Sequence, residues 1–187
     1  MLKKLCIASL LALPAAAMAE GLSYKFVEAD YLILDADGGS ANGFGVAGSF
    51  LVAPQFFLTG SYARLEDSGV EFSTITGGAG FRHPLSPTVD LTGNASLVFA
   101  EVDTNGFGSG DDTGYSVGAG LRSMLTSQFE LNGGAAYTDI ADDGEFGFSL
   151  GAVFSFTPQI ALVGGVGVGD DFGDEGRLFN IGGRFMF

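Results

Sequence analysis

His83 is the only histidine in the chain and Cys6 the only cysteine, so the side chains that most readily carry protons or act as nucleophiles near neutral pH are almost absent. A catalytic base needs an oriented partner and a reacting group within reach. His83 stands beside Pro84 in a segment that reads as a short turn, where a solvated ring is the plainer reading. The glycine groups Gly78-Ala79-Gly80 and Gly164-Gly165-Val166-Gly167 lie inside alternating tracts, without the strand-to-helix context of a phosphate-binding loop. What the chain does hold is charge, 22 acidic against 8 basic side chains and a formal net charge of −14. Neutralising phosphates would take clustered Lys and Arg, so no nucleic-acid partner is expected. Asp111-Asp112, Asp142-Asp143 with Glu145, and Asp170-Asp171 with Asp174-Glu175 offer the oxygen ligands that Ca²⁺ or Mg²⁺ prefer, but none has the EF-hand spacing. No other cofactor is implied, and no enzymatic activity is expected.

These residues must be positioned by strands and turns. The 31 glycines follow no collagen period and are spread among 18 phenylalanines and 5 tyrosines in a chain that is 47% hydrophobic, which excludes disorder. The first 19 residues read as a secretory signal: Lys3 and Lys4, an apolar run from Leu5 to Leu13, and small residues Ala17 and Ala19 at positions −3 and −1 of a cleavage site. The expected domains are thus the signal, 1–19, and a single barrel domain, 20–187. Without Lys3 and Lys4, 6 basic and 22 acidic residues remain, a net charge of −16. The mature chain would have no cysteine and hence no disulfide. Its longest uncharged tract, Phe146 to Gly169, is interrupted by Thr157-Pro158-Gln159, so two strands around a turn fit it better than a membrane helix.

Apolar and polar residues alternate with period two nearly throughout. Examples are Phe44 to Val52, Val89 to Ala100, Phe129 to Thr138 and Phe179 to Phe187. Each tract has about the 9–11 residues a tilted strand needs to cross a bilayer. The connections alternate between two kinds. Short, similar turns begin at Ala53-Pro54, Ser86-Pro87, Thr126-Ser127 and Thr157-Pro158. Acidic, Gly-rich loops are expected over Asp35–Asn42, Leu65–Glu71, Asp103–Asp112, Asp139–Glu145 and Gly169–Gly176. Five loops and four turns predict ten strands, at 22–34, 43–53, 56–65, 72–82, 88–101, 113–124, 128–138, 145–155, 159–168 and 177–187. An eight-stranded arrangement, with one hairpin misread, is the alternative.

This is the pattern of an all-β, antiparallel, up-and-down transmembrane β-barrel. On one parity, Phe44, Tyr62, Phe99, Tyr115, Tyr137, Phe146 and Phe179 lie near the acidic loops, and Phe56, Phe81, Phe129, Phe154, Phe185 and Phe187 near the short turns. Two aromatic girdles around an aliphatic band suit a lipid-facing surface. The opposite parity is mostly Gly, Ala, Ser, Thr and Asn, together with Glu28, Asp30, Arg82, Asp90, Arg122, Glu130 and Arg184, while Lys25 breaks the rule.

The chain resembles small bacterial outer-membrane β-barrels of the OmpA/OmpX type. The segment Asn180-Ile181-Gly182-Gly183-Arg184-Phe185-Met186-Phe187 is similar to their assembly signal, and the resemblance implies that Asn180, Gly182, Phe185 and Phe187 are read by the outer-membrane assembly machinery. Leu22-Ser23-Tyr24, Gly114-Tyr115-Ser116-Val117, Gly120-Leu121-Arg122-Ser123 and the repeated proline turns also resemble a xanthomonad-type outer-membrane family once proposed as a quorum signal and immune elicitor. Tyr24 is the nearest match to that family's proposed sulfated tyrosine, but its surroundings differ and no signalling role is transferred.

Opposite charges confined at similar height in a lumen should pair. The seven inward charges are therefore expected to form a plugging ion-pair network or, alternatively, a gate or selectivity ring in which Glu28 and Asp30 favour cations. The acidic loops would form a solvated, mutually repelling outer surface, or hold Ca²⁺ or Mg²⁺ weakly and bridge to lipopolysaccharide phosphates. The expectation is a monomeric, multi-pass protein of the bacterial outer membrane in contact with its lipid and lipopolysaccharide. Its role would be structural or surface-interacting through the acidic loops; the alternative is a narrow channel for small cationic or neutral solutes.

Overall fold

The computed structural model describes residues 17–18, 21–36, 39–104, 108–141, 143–169 and 176–187. Ten antiparallel strands form one closed barrel in chain order. They are β1 Phe26–Ala36, β2 Gly39–Ala53, β3 Phe56–Asp67, β4 Val70–Ser86, β5 Val89–Thr104, β6 Gly108–Met124, β7 Phe129–Ile140, β8 Asp143–Ser155, β9 Ile160–Gly169 and β10 Arg177–Met186. The seam pairs β10 with β1 from Arg177↔Asp35 to Met186↔Phe26. Closure leaves no sheet edge within the bilayer, where an unpaired N–H or C=O would find no water. The eight-stranded alternative is excluded.

Alternation decides which side chains face lipid. In β1, Phe26, Glu28, Asp30, Leu32 and Leu34 are buried while Val27, Ala29, Tyr31, Ile33 and Asp35 are exposed. The outer face presents large apolar side chains on every strand, among them Val46, Leu58, Ile75, Leu97, Val117, Leu131, Leu150, Leu162 and Ile181. Aromatic contacts run around both girdles: Phe44–Tyr62, Tyr115–Tyr137 and Tyr137–Phe146 toward the loop end, and Phe56–Phe81 and Phe154–Phe156 toward the turn end. The inner face is greasier than its expected Gly, Ala, Ser and Thr character. Leu32, Leu34, Ala41, Ala63, Leu65 and Leu178 cluster in the loop-side half with Phe72 against them, and Val98, Ala100 and Ile140 form a second group.

Several boundaries differ from expectation. Where they are described, the acidic segments are mainly strand. Asp67, Glu71, Asp103, Asp111, Asp112 and Asp139 all lie within strands, and β4 and β6 reach 17 residues each. A hairpin ladder satisfies its own backbone, and water accepts a carboxylate on either face, so charge does not end a strand once it has left the bilayer. The β3–β4 connection shrinks to Ser68 and Gly69, both with positive φ (48° and 85°), as a two-residue hairpin turn requires. The β5–β6 hairpin outruns its neighbour: Gly108 to Thr113 pair with β5, whereas pairing of β6 with β7 begins at Gly114.

A further difference is at the amino end. The first strand begins at Phe26, and residues 22–25 precede it instead of belonging to it. The short turns follow a shared local logic. Thr126 Oγ1 accepts from the backbone N–H of Gln128 and Phe129, and Thr157 Oγ1 from those of Gln159 and Ile160. β4 continues to Ser86, so His83 is an exposed strand residue and not part of the turn.

Candidate functional site

Arg82 on β4, Asp90 on β5, Arg122 on β6 and Glu130 on β7 point into the bore near the turn end because their neighbours Phe81, Leu91, Leu121 and Leu131 take the lipid face. Arg122 has 0% of its surface exposed. It donates from Nε to Glu130 Oε1 at 2.9 Å and from Nη2 to Glu130 Oε2 at 3.0 Å, the bidentate fork that suits a guanidinium and a carboxylate. Arg82 meets Asp90 as an ion pair with Nε 2.9 Å from Oδ2, but the hydrogen bond is donated by Nη2, to Oδ1 at 3.3 Å.

On the opposite wall, across the β10–β1 seam, Arg184 pairs with Glu28, its Nε donating to Oε2 at 2.7 Å. Its guanidinium lies 4.2 Å from the centroid of the Phe26 ring. Further in, Asn180 Nδ2 donates to Asp30 Oδ1 at 3.1 Å, while the buried Asp30 Oδ2 has no hydrogen-bond partner among the described residues. The seven inward charges thus stand on two facing walls as three ion pairs and one amide–carboxylate pair.

Tyr24, named from sequence only for a family resemblance, is the residue whose place in this site sequence reasoning missed. The short segment before β1 turns into the turn-side mouth, and Tyr24 is only 1% exposed there. Its hydroxyl donates to Asp90 Oδ2 at 2.8 Å. Its ring stacks on Phe57 with centroids 4.9 Å apart and an interplanar angle of 29°. The guanidinium of Arg122 is 4.4 Å from the ring centroid and that of Arg82 is 4.9 Å. Arg122 Nη1 also donates to the Ser23 carbonyl at 3.3 Å, and Ser49 Oγ donates to the Tyr24 carbonyl at 3.0 Å. Burial raises the Tyr24 phenol above the ordinary tyrosine range, with Arg122 pulling the other way, so the hydroxyl stays a neutral donor. The one available signal was parity: Leu22, Tyr24 and Phe26 continue the inward series of Glu28 and Asp30. An inward aromatic ring near inward arginines invites stacking.

Phe57 reaches the bore because Gly80 leaves room; a Cβ at Gly80 would lie 2.2 Å from two atoms of its ring. Below the knot, at the turn-side mouth, a cavity of about 1370 Å³ is lined by Leu22, Tyr24, Arg82, Met124, Phe156 and Phe187 among others.

Asn180 and Gly182 face inward, Phe185 faces outward, and Phe187, just past the last strand, is exposed at the turn-side mouth. A Cβ at Gly182 would lie 2.1 Å from the Ala29 carbonyl oxygen and 2.5 Å from Asp30 Oδ1, so the seam itself demands glycine there. Ala17 pairs with Leu22 in a two-residue ladder, while Ala19 and the segment from Met1 to residue 16 lie outside the described residues. Asp142, Asp170, Asp171, Asp174 and Glu175 also lie outside them. Among the described residues, no group of three or more His, Cys, Asp or Glu side chains is arranged to hold a metal ion.

A closed ten-stranded antiparallel barrel with a greasy outer face, two aromatic girdles and charges folded inward defines a small bacterial outer-membrane β-barrel, a multi-pass protein of that membrane. The chain belongs to the outer membrane protein beta-barrel domain family, whose model matches residues 5–156. None of the curated proteins matches it. Among solved structures, the KdgM porin is similar at 10% identity and a TM-score of 0.48, over 86% of this chain and 99% of that one. Neisserial surface protein A is similar at 15% identity and a TM-score of 0.45, over 88% and 96%. Ail, the attachment invasion locus protein of Yersinia pestis, is similar at 16% identity and a TM-score of 0.43, over 88% and 97%. Each is a likeness of fold alone.

Proposed function

We propose that this protein is a barrel with a closed bore, serving the cell surface through its acidic hairpin ends rather than by catalysis or solute flow. The observation that carries this reading is the buried knot of Tyr24, Asp90, Arg122 and Glu130 across the turn end. The apolar clusters around Leu32, Leu65 and Val98 add to it by filling part of the loop-side half of the bore with apolar side chains. The short turns face the periplasm. The longer acidic hairpins, the β5–β6 hairpin foremost, face outward and meet the environment and the lipopolysaccharide headgroups, directly or through weakly held Ca²⁺ or Mg²⁺. Phe185 and Phe187, with Asn180 and Gly182, are what the assembly machinery reads; the segment ending at Ala17-Met18-Ala19 is the export signal; the barrel works as a monomer.

A second reading, a narrow channel for small cationic or neutral solutes, draws on the cavity of about 1370 Å³ at the turn-side mouth and on the half-satisfied Asp30 carboxylate deeper in. Recordings from the purified barrel in planar bilayers separate the two. A closed bore is electrically silent at all moderate voltages; stable cation-selective steps from the wild-type protein would replace the first reading with the second.

A further inference from the structure

The Tyr24 contacts have a property the ion pairs lack: every wall of the slot is anchored by contacts within the barrel strands, whereas the ring inside it comes from a segment that precedes them. Arg122 is fixed by both oxygens of Glu130, and Arg82 lies against Asp90. Phe57 fills the space left by Gly80. None of these anchors involves the segment 22–25. That segment lies outside the strand ladders, apart from the ladder of two residues that ends at Leu22. It is tied by the bonds from Arg122 to the Ser23 carbonyl, from Ser49 to the Tyr24 carbonyl, and from the Phe187 N–H to the Lys25 carbonyl. The cavity beneath gives the ring somewhere to go.

We propose that residues 22–25 are an intramolecular stopper, in which Tyr24 occupies a preformed phenol-binding slot made by Arg82, Arg122, Phe57 and Asp90. The inference rests on the closed-bore reading and names what closes it. The slot's chemistry is specific. The carboxylate accepts a hydrogen bond from the hydroxyl at 2.8 Å, the guanidiniums take the face of an electron-rich ring, and Phe57 takes its apolar side. Such a slot selects a neutral para-substituted phenol over a benzene ring. Because it is assembled before it is filled, little ordering accompanies binding. Withdrawal of the ring empties the slot toward the mouth cavity, which Tyr24 also lines, without breaking a strand pair of the barrel.

The test uses the full barrel carrying Tyr24→Ala, shown to be folded by its compact mobility on unheated gels, with N-acetyl-L-tyrosinamide as the probe. Calorimetric titration is expected to show saturable binding to the variant and none to the wild type. N-acetyl-L-phenylalaninamide should bind about tenfold or more weakly, since it leaves the carboxylate without its donor. In planar bilayers the wild type should be silent, and the variant should conduct in steps that the tyrosine probe blocks. A folded variant that binds no probe, or that stays silent, overturns the stopper. A conducting wild type instead overturns the closed-bore reading and leaves the slot to be judged by probe binding alone. Should Tyr24→Ala not fold, Tyr24→Phe keeps the ring and loses only the bond to Asp90. It is expected to show brief openings suppressed by the tyrosine probe, and unbroken silence overturns the proposal.

Discussion

Arg122 carries a full charge with no exposed surface, tolerable only because Glu130, the Ser23 carbonyl and the Tyr24 ring surround it. Removing one member of such a set leaves its partner charged and dry. Arg122→Ala is therefore expected to lower stability by about 3–5 kcal/mol, read from the urea midpoint of the barrel in lipid vesicles. Arg122→Met combined with Glu130→Leu removes both charges at similar volume and should recover most of that loss. Arg64 and Glu71 offer the contrast: their side chains are 41% and 36% exposed although Nη2 and Oε2 are only 2.5 Å apart. Arg64→Ala should cost no more than about 1 kcal/mol, because water and salt screen an exposed pair. The inward direction of Arg82, Arg122 and Arg184 was readable from strand parity. The acid that Arg184 would meet was not, because Glu28 is 156 positions away and only closure makes their strands neighbours, whereas Asp90 and Glu130 each stand eight positions from Arg82 and Arg122 across one tight turn.

At the level of the strand, the decisive element is the seam between β10 and β1, where chain ends meet and the cylinder closes. Two adjacent glycines in β10 face opposite ways there. A side chain at Gly182 would run into the Ala29 backbone and Asp30, whereas a Cβ at Gly183 meets nothing within 4 Å. Gly182→Val is expected to reduce sharply the fraction of chain that refolds to the compact, heat-sensitive species in detergent, and Gly183→Val to leave it near the wild-type level. This separates the seam's steric need from recognition by an assembly factor, which purified refolding does not involve. The strand count and the four tight turns were legible from spacing and turn residues. The outer strand ends were not, because a carboxylate marks exposure to water and a ladder outside the membrane remains a ladder.

For the whole molecule, the governing fact is inversion: the largest apolar side chains are on the outside, so lipid stabilises the barrel and the bore must satisfy its polar groups internally. Leu150 lies on the lipid face near the middle of β8, and Leu150→Arg should cost about 2–4 kcal/mol in a bilayer. Ser109→Arg, on the protruding part of β6, should change stability by no more than about 0.5 kcal/mol. Both are read from reversible unfolding in the same vesicles. Equal penalties at the two positions would contradict the placement of the apolar band.

Period-two alternation, aromatic sorting by height and alternating connection types are one-dimensional properties, written into neighbouring residues because each strand must face lipid on one side along its whole length. They point to an all-β, inside-out barrel of ten strands, with eight as the alternative that only the closed sheet excludes. The contents of the bore follow a different rule. Arg122 and Glu130 are eight positions apart, Tyr24 and Asp90 are 66, and Glu28 and Arg184 are 156. Hairpin register alone brings the first pair together across one tight turn, whereas no local pattern links the other two, since their distances depend on the closed sheet. The path of residues 22–25 belongs with these: the segment leaves the repeating ladder, and the slot that receives its tyrosine exists only once strands β3 to β6 stand side by side.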